Sequence, residues 1–121
     1  MKTILLIEDD PFLIDLYSTR LKAAGFEIDV ATNGQEGLEK VREKKPDLLV
    51  LDMVLPTIDG WEVLKELKKE ERFKDLKILI FSNLDQKADI EGAFRFGVTK
   101  YLIKAHYTPT EVIKEIEKIL K

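Results

Sequence analysis

The stretch DLLVLD, residues 47–52, decides the fold, because four apolar residues in a row lie between two aspartates. A short apolar run with polar ends is typical of a strand buried on both faces, as strands of a parallel sheet are. Two similar runs lie elsewhere in the chain, TILLI at Thr3–Ile7 and KILIF at Lys77–Phe81. Together these runs predict three central strands, of which the first stretch contributes Asp47–Leu51.

Two weaker runs complete a five-stranded sheet. EIDVA at Glu27–Ala31 alternates charged and apolar residues, which suits a strand at a sheet edge, and KYLI at Lys100–Ile103 is the last run. Stretches of helical periodicity separate the five runs, so we expect parallel strands with helices on both faces. The sequence therefore predicts an α/β, doubly wound (βα)5 fold of the flavodoxin-like kind, with a five-stranded parallel sheet of order 2-1-3-4-5.

The first and last predicted helices carry explicit start signals. Asp10 caps the first helix and Pro11 suits its first turn, while Gly25 ends it. The last helix opens with a capping box, in which Thr108 is the cap and Glu111 the third helical residue. Between them we place three further helices, which begin at Asn33-Gly34, at Gly60 and at about Gln86.

The length and composition predict a single cytoplasmic domain over residues 1–121, with no room for an effector domain. The 121 residues are 45% hydrophobic and 36% charged, without a repeat or linker. A formal net charge of −3 gives no general attraction to nucleic acid. The N-terminal apolar run ends at Glu8, too early for a membrane span or secretion signal, and the absence of cysteine suits a reducing compartment.

Polar residues follow four of the predicted strands. Glu8 and Asp9 come after the first strand, Asp52 after the third, Ser82 after the fourth and Lys104 after the fifth. Because the carboxyl ends of parallel strands meet at one edge, and ligands bind where the strand order reverses, we expect these side chains to lie together. Three carboxylates in one pocket would repel each other unless a cation joined them or some of them became protonated.

Oxygen ligands without nearby histidine or cysteine favour Mg²⁺, which takes phosphate oxygens as further ligands. Beside such a metal, one carboxylate can attack phosphorus and form an aspartyl phosphate. An ammonium group and a hydroxyl group then absorb charge in the transition state, and Lys104 and Ser82 supply these two groups. The rim of the sheet therefore predicts a magnesium-dependent phosphoryl site.

Four segments resemble, in order and spacing, the receiver domains of two-component response regulators, and in particular the stand-alone receivers of chemotaxis. They are ILLIEDDP, LLVLDMVLPTIDG, ILIFSN and YLIK, and the resemblance covers nearly the whole chain. It implies that Asp52 is the phosphoacceptor. It also implies that Asp9 and the Val54 backbone carbonyl bind Mg²⁺ directly, and that Glu8 binds it through water.

The same resemblance implies how a signal enters and leaves the domain. Ser82 would hydrogen-bond a phosphoryl oxygen, Lys104 would pair with the phosphoryl group, and Tyr101 would be the switch aromatic. A sensor histidine kinase, a phosphotransfer protein or a small phosphodonor would supply the group. A downstream protein would read the surface of the fourth helix, fifth strand and fifth helix. The chain would be a monomer or weak homodimer that catalyses its own phosphorylation and dephosphorylation, as a signalling protein rather than a conventional enzyme.

The chain departs from the family pattern after Lys104, where Ala105 stands in place of the usual proline. Because a cis peptide before alanine would cost about 3 kcal/mol, we expect a trans bond there or strain held by the surroundings. Val54 and Leu84 occupy positions that influence attack by water in similar proteins, and neither side chain can orient a water. We therefore predict slow self-dephosphorylation.

The individual residues also have plainer interpretations. Asp10 suits a helix cap better than a metal ligand, because Pro11 follows it. Ser82 alone could begin a turn, and Lys104 alone could be a solvated surface lysine. Tyr101 could be a packing residue on an edge strand as readily as a switch.

Other functions fit the sequence less well. A flavin-binding module would need hydroxyl and glycine amide groups after the first strand, where Glu8-Asp9-Asp10 would repel phosphate. A hydrolase with an aspartate nucleophile would be expected to carry it after the first strand, not the third. The main alternative is an interaction scaffold, natural or engineered, that keeps the fold without being phosphorylated.

Overall fold

A computed structural model describes all 121 residues and contains the five predicted strands. All are parallel, in the order β2-β1-β3-β4-β5. The strands are β1 Thr3–Ile7, β2 Glu27–Ala31, β3 Leu48–Leu51, β4 Lys77–Ser82 and β5 Lys100–Ile103. The helices are α1 Pro11–Ala23, α2 Gly34–Glu43, α3 Gly60–Lys68, α4 Lys87–Arg95 and α5 Pro109–Leu120. The predicted fold class and strand order are confirmed.

The boundaries of two strands differ from the prediction by one residue each. β3 begins at Leu48 rather than Asp47, whose carboxylate accepts a hydrogen bond from the Thr3 backbone amide at 2.7 Å. β4 continues through Ser82, which places this hydroxyl on the strand itself and leaves it fully buried. The prediction that β2 lies at an edge is confirmed, and of its residues only Ala31 is buried.

The helix caps form as the sequence predicts. The Asp10 side chain accepts a hydrogen bond from the Phe12 amide at 2.9 Å, so it serves as the cap of α1. Thr108 and Glu111 form a reciprocal capping box at the start of α5. None of these helices has the combination of length and apolar character that crossing a membrane requires.

Two apolar layers cover the sheet, because successive strand residues point to opposite faces. Leu5 and Ile7 of β1 join a layer beneath α2, α3 and α4, whereas Ile4 and Leu6 join a layer beneath α1 and α5. Both layers reach the carboxyl ends of the central strands. The polar residues that follow these strands therefore begin where the apolar core ends.

Candidate functional site

Three carboxylates meet at the carboxyl ends of β1 and β3. Glu8, Asp9 and Asp52 each place an oxygen within 4.8 Å of the others. The two strands pair in register, and the Asp52 amide donates to the Ile7 carbonyl at 3.1 Å, which brings the residues after both strands side by side. Glu8 and Asp52 are buried, while Asp9 is exposed.

Lys104 lies between two of these carboxylates. Its Nζ is 2.7 Å from Glu8 Oε1 and 2.7 Å from Asp52 Oδ2, and its side chain is only 13% exposed. It occupies the first position of a short 3₁₀ turn that directly follows β5, and the bond to Ala105 is trans, like every peptide bond in the chain. Lys104 therefore reaches the site without a cis peptide, and it is not the solvated surface lysine of the plainer interpretation.

The charges of this cluster are strongly coupled. Burial raises the pKa of Glu8 above its ordinary value, even though the Lys104 ammonium favours the ionised carboxylate. Burial also opposes the charge of Lys104, but hydrogen bonds to Asp52 and Glu8 outweigh it and raise the pKa of the ammonium group. The lysine therefore stays protonated and supplies one positive charge to an acidic pocket.

Backbone groups fix the orientation of the carboxylates. Glu8 Oε2 accepts hydrogen bonds from the Asp9 and Asp10 amides, both at 3.1 Å, and Asp52 Oδ1 accepts one from the Val54 amide at 3.2 Å. Val54 is 59% exposed, and its carbonyl takes part in no backbone hydrogen bond. No backbone donor competes for this carbonyl, and its role as a metal-binding group stays a prediction.

The donor set fits a hard divalent cation. It consists of carboxylate and carbonyl oxygens only. Such ligands favour Mg²⁺, whereas other metals prefer nitrogen or sulfur ligands. One ammonium group cannot neutralise three neighbouring carboxylates, and Asp9 has no cationic partner within 4.0 Å. The site therefore retains negative charge where a metal ion would be stabilised.

Ser82 and Tyr101 both contact Leu84, in the loop between β4 and α4. Ser82 Oγ accepts a hydrogen bond from the Leu84 amide at 3.4 Å, and the Tyr101 hydroxyl donates to the Leu84 carbonyl at 2.7 Å. Burial, followed by the charges of Asp89, Asp52 and Asp85, raises the pKa of Tyr101 to about 12. The hydroxyl therefore remains a donor throughout the physiological pH range.

Nothing in the sequence analysis predicted the backbone conformation of Thr57, which lies in the same loop as Val54. Thr57 has φ of 66°, the only positive value outside glycine. It lies in the β3–α3 loop, residues 52–59, and the β-branched side chain gives no hint of this conformation because such residues normally avoid it. Its position after Pro56, in a turn between two elements, is the only clue in the sequence.

The chain resembles known proteins along nearly its full length. A family model for the response regulator receiver domain matches residues 4–117. The DNA-binding dual master transcriptional regulator RpaA of Synechocystis is 34% identical over 121 residues, which are 100% of this chain and 50% of that protein. The chain thus spans about half the length of this relative.

Other matches cover both chains. The chemotaxis protein CheY of Thermotoga maritima is 30% identical over 121 residues, which are 99% of this chain and 98% of that protein. The structure of the Francisella response regulator 1452 receiver domain superposes with a TM-score of 0.87 at 28% identity, covering 98% of this chain and 96% of the other. Sequence and structure therefore point to the same family.

Proposed function

The chain belongs to the response regulator receiver domain family, and from that membership we propose that it is a phosphorylation-dependent signalling switch with Asp52 as the phosphoacceptor. One observation carries the proposal. The buried Asp52 carboxylate lies beside Glu8 and Asp9 and within 2.7 Å of the Lys104 ammonium, at the carboxyl ends of the central strands. This arrangement combines a nucleophile, metal-binding oxygens and a fixed cation in one pocket.

In the proposed transfer, an Asp52 carboxylate oxygen forms a bond to phosphorus while the bond from phosphorus to the leaving atom of the donor breaks. The leaving group departs with the bonding electron pair, so no redox partner is required. The donor is a phosphohistidine of a sensor kinase or phosphotransfer protein, or a small phosphodonor. The Lys104 ammonium, which contacts Asp52, is close enough to pair with a phosphoryl oxygen once the group is attached there.

We assign the metal site to Glu8, Asp9, Asp52 and the Val54 carbonyl. Bound Mg²⁺ would neutralise the charge that develops on the phosphoryl oxygens. The protein itself orients the carboxylates, because backbone amides hold one oxygen of Glu8 and one of Asp52. Asp9 is exposed and completes the oxygen set from the solvent side.

Leu84 offers a route by which phosphorylation would reach the surface. Ser82 holds its amide and Tyr101 holds its carbonyl, so the two candidate switch residues share one peptide segment. If Ser82 turns towards a phosphoryl oxygen, it releases the Leu84 amide, and the acceptor of the Tyr101 hydroxyl moves with the loop. The added charge would thereby alter the α4-β5-α5 surface that a downstream protein reads.

The predicted slow loss of the phosphoryl group belongs to the same proposal. The Val54 side chain is exposed at the edge of the site and Leu84 is partly buried there, and neither carries a group that could orient an attacking water. A Val54→Asn variant should therefore lose its phosphoryl group faster than the parent. Equal decay rates, followed by intact mass after the donor is removed, would contradict this prediction.

The deciding experiment is incubation with Mg²⁺ and acetyl phosphate, followed by intact mass measurement. We expect the mass of one phosphoryl group to be added to the parent protein and not to Asp52→Asn. Asp10→Asn is the matched control, because Asp10 lies at the same rim as a helix cap and should leave phosphorylation intact. Removing Mg²⁺ with a chelator should abolish the gain.

An equal mass gain in Asp52→Asn would identify another acceptor and overturn the assignment. No gain in any variant would favour the interaction scaffold, which keeps the fold without phosphorylation. The proposal also assigns the domain to the cytoplasm, where it would act on a downstream protein as a monomer or weak homodimer. These remain predictions.

A further inference from the structure

The tip of the β3–α3 loop is held in an unfavourable backbone conformation. A left-handed conformation brings the Cβ atom of a non-glycine residue too close to the following carbonyl oxygen, and a β-branched side chain tolerates it poorly. Thr57 nevertheless adopts φ of 66°. Such a residue persists only where its surroundings determine it, so the contacts of Thr57 indicate what the conformation achieves.

The Thr57 side chain joins the loop to the first turn of α2. Its Oγ accepts a hydrogen bond from the Gln35 amide at 3.3 Å, one of the amides that a helix start leaves without an intrahelical partner. Its single proton has two acceptors within reach, the Pro56 carbonyl at 2.6 Å and Asn33 Oδ1 at 3.3 Å. Asn33 is itself the cap of α2 and accepts from the Glu36 amide.

The loop and α2 are also in close backbone contact. The Gly34 amide donates to the Pro56 carbonyl at 3.4 Å, and a Cβ atom on Gly34 would overlap the Ile58 carbonyl. Only glycine therefore fits at this position of the helix. Leu55 and Ile58 anchor the same loop by packing against the core layer beneath α2 and α3.

The other end of the loop is fixed at the site. Asp52 Oδ1 accepts from the Val54 amide at 3.2 Å, and the Gly60 amide donates to the Met53 carbonyl at 3.0 Å. The segment between Asp52 and Gly60 is thus closed at its base, while Thr57 ties its tip to α2. Val54 lies between these two attachments, so the position of its carbonyl depends on both.

We propose that Thr57 is a positioning residue of the metal site: its hydroxyl latches the β3–α3 loop onto the first turn of α2 and so holds the Val54 carbonyl beside Asp52. This inference rests on the proposed function, because it takes that carbonyl as a ligand. Thr57 itself touches neither metal nor substrate. Its contribution is to reduce the freedom of a ligand before the metal arrives.

Three substitutions at Thr57 separate the effect of its hydroxyl group from the effect of its backbone conformation. Thr57→Ser keeps the hydroxyl, and Thr57→Ala removes it but keeps a Cβ atom. Thr57→Gly removes both the hydroxyl and the steric cost of the left-handed conformation. We expect the dissociation constant for Mg²⁺ to rise by about threefold to tenfold in the alanine and glycine variants, as for the loss of one hydrogen bond. The serine variant should stay close to the parent.

Metal affinity is measured by displacing Mn²⁺ with Mg²⁺, since free Mn²⁺ has a strong electron paramagnetic resonance signal. Urea denaturation of the same variants provides the comparison with stability. Thr57→Gly should bind Mg²⁺ more weakly although its free energy of unfolding equals or exceeds that of the parent. A residue with only a structural role would not separate the two quantities in this way.

Amide hydrogen exchange without metal tests the latch independently. Exchange at Gln35 and Val54 should accelerate in the alanine and glycine variants and return to the parent rate in Thr57→Ser. Unchanged exchange, or unchanged Mg²⁺ affinity in Thr57→Ala and Thr57→Gly, would overturn the inference. A parent protein that binds no Mg²⁺ would overturn the metal assignment itself, and exchange would then report on the latch alone.

Discussion

The last two helices of the chain are held in opposite ways. α5 begins with a capping box, in which Thr108 and Glu111 satisfy each other's backbone amides at 3.2 and 2.8 Å. One stripe of α5 is buried in the core, formed by Val112, Ile116 and Leu120. α4 has no side-chain cap at Gln86, and Ala93 is its only buried residue.

The remaining attachments of α4 are few and specific. A Cβ atom on Gly92 would lie 3.2 Å from Trp61 Cη2, so the indole of α3 packs directly over this glycine. The loop before α4 is held by the Tyr101 hydroxyl at the Leu84 carbonyl. Elements with little buried apolar surface open at low free energy. We therefore expect α4 to open at lower free energy than α5, within the surface proposed for output.

The largest expected difference between the two helices comes from one substitution made in each. Ile116→Ala in α5 should lower the free energy of unfolding by about 2–5 kcal/mol, because a fully buried side chain leaves a cavity. Ile90→Ala in α4 removes a half-buried side chain and should cost about 1 kcal/mol or less. Urea denaturation measures both, and equal losses would show that α4 is as firmly packed as α5.

The helix caps give a smaller effect of the same kind. Thr108→Ala should destabilise the protein by about 1 kcal/mol, because an amide at the start of α5 loses its acceptor. The matched change at α4 is Gln86→Ser, which introduces a capping hydroxyl where none exists and should slow amide exchange within α4. If exchange in α4 does not respond to the new cap, its N-terminus does not limit its opening.

Tyr101→Phe tests the tie between β5 and the loop before α4. Loss of this hydrogen bond should change the free energy of unfolding by about 1 kcal/mol or less. Amide exchange in α4 should accelerate, whereas exchange in α5 should stay at the parent rate. An equal acceleration in both helices would mean that the hydroxyl stabilises the whole domain rather than the position of α4.

The smallest effect is the sensitivity of the α5 cap to acid. The hydrogen bond from the Thr108 amide lowers the pKa of Glu111 below its ordinary value of 4.5. A depressed folded-state pKa contributes stability that is present above the unfolded-state pKa and lost as the pH falls through the folded-state value. The stability difference between the parent and Glu111→Gln, which does not titrate, should stay constant above the unfolded-state pKa and move against the parent as the pH falls from there through the folded-state pKa. A difference independent of pH down to pH values below the folded-state pKa would contradict the role of the carboxylate.

Much of the fold could be predicted because burial leaves a direct signature in the residue order. The apolar runs at β1, β3 and β4 marked the central strands, and the alternation at Glu27–Ala31 marked an edge. The caps at Asp10 and Thr108 were readable because they depend on residues three positions apart or fewer. The boundary of β3 was wrong by one residue, because Asp47 makes its contact with Thr3, which is distant in the sequence.

The sequence was enough to predict which residues of the candidate site lie at the carboxyl ends of the strands. The sequence placed Glu8, Asp9 and Asp52 together, and the structure brings their oxygens within 4.8 Å. It did not predict that Lys104 bridges Glu8 and Asp52, or that Thr57 takes a left-handed conformation. Both depend on contacts between segments that are far apart in the chain, and no local pattern records them.

The residue order alone determined the strands, their parallel arrangement and the edge at which the acidic residues collect, since apolar periodicity and right-handed crossovers leave few alternatives. Only the tertiary structure decided which atoms meet there. The Lys104 ammonium lies between two buried carboxylates, Leu84 is hydrogen-bonded by Ser82 and Tyr101, and Thr57 is hydrogen-bonded to the first turn of α2. The physical reason is distance. Hydrogen bonds and ion pairs form or fail within a few tenths of an ångström, and that scale is set by the packing of the whole core.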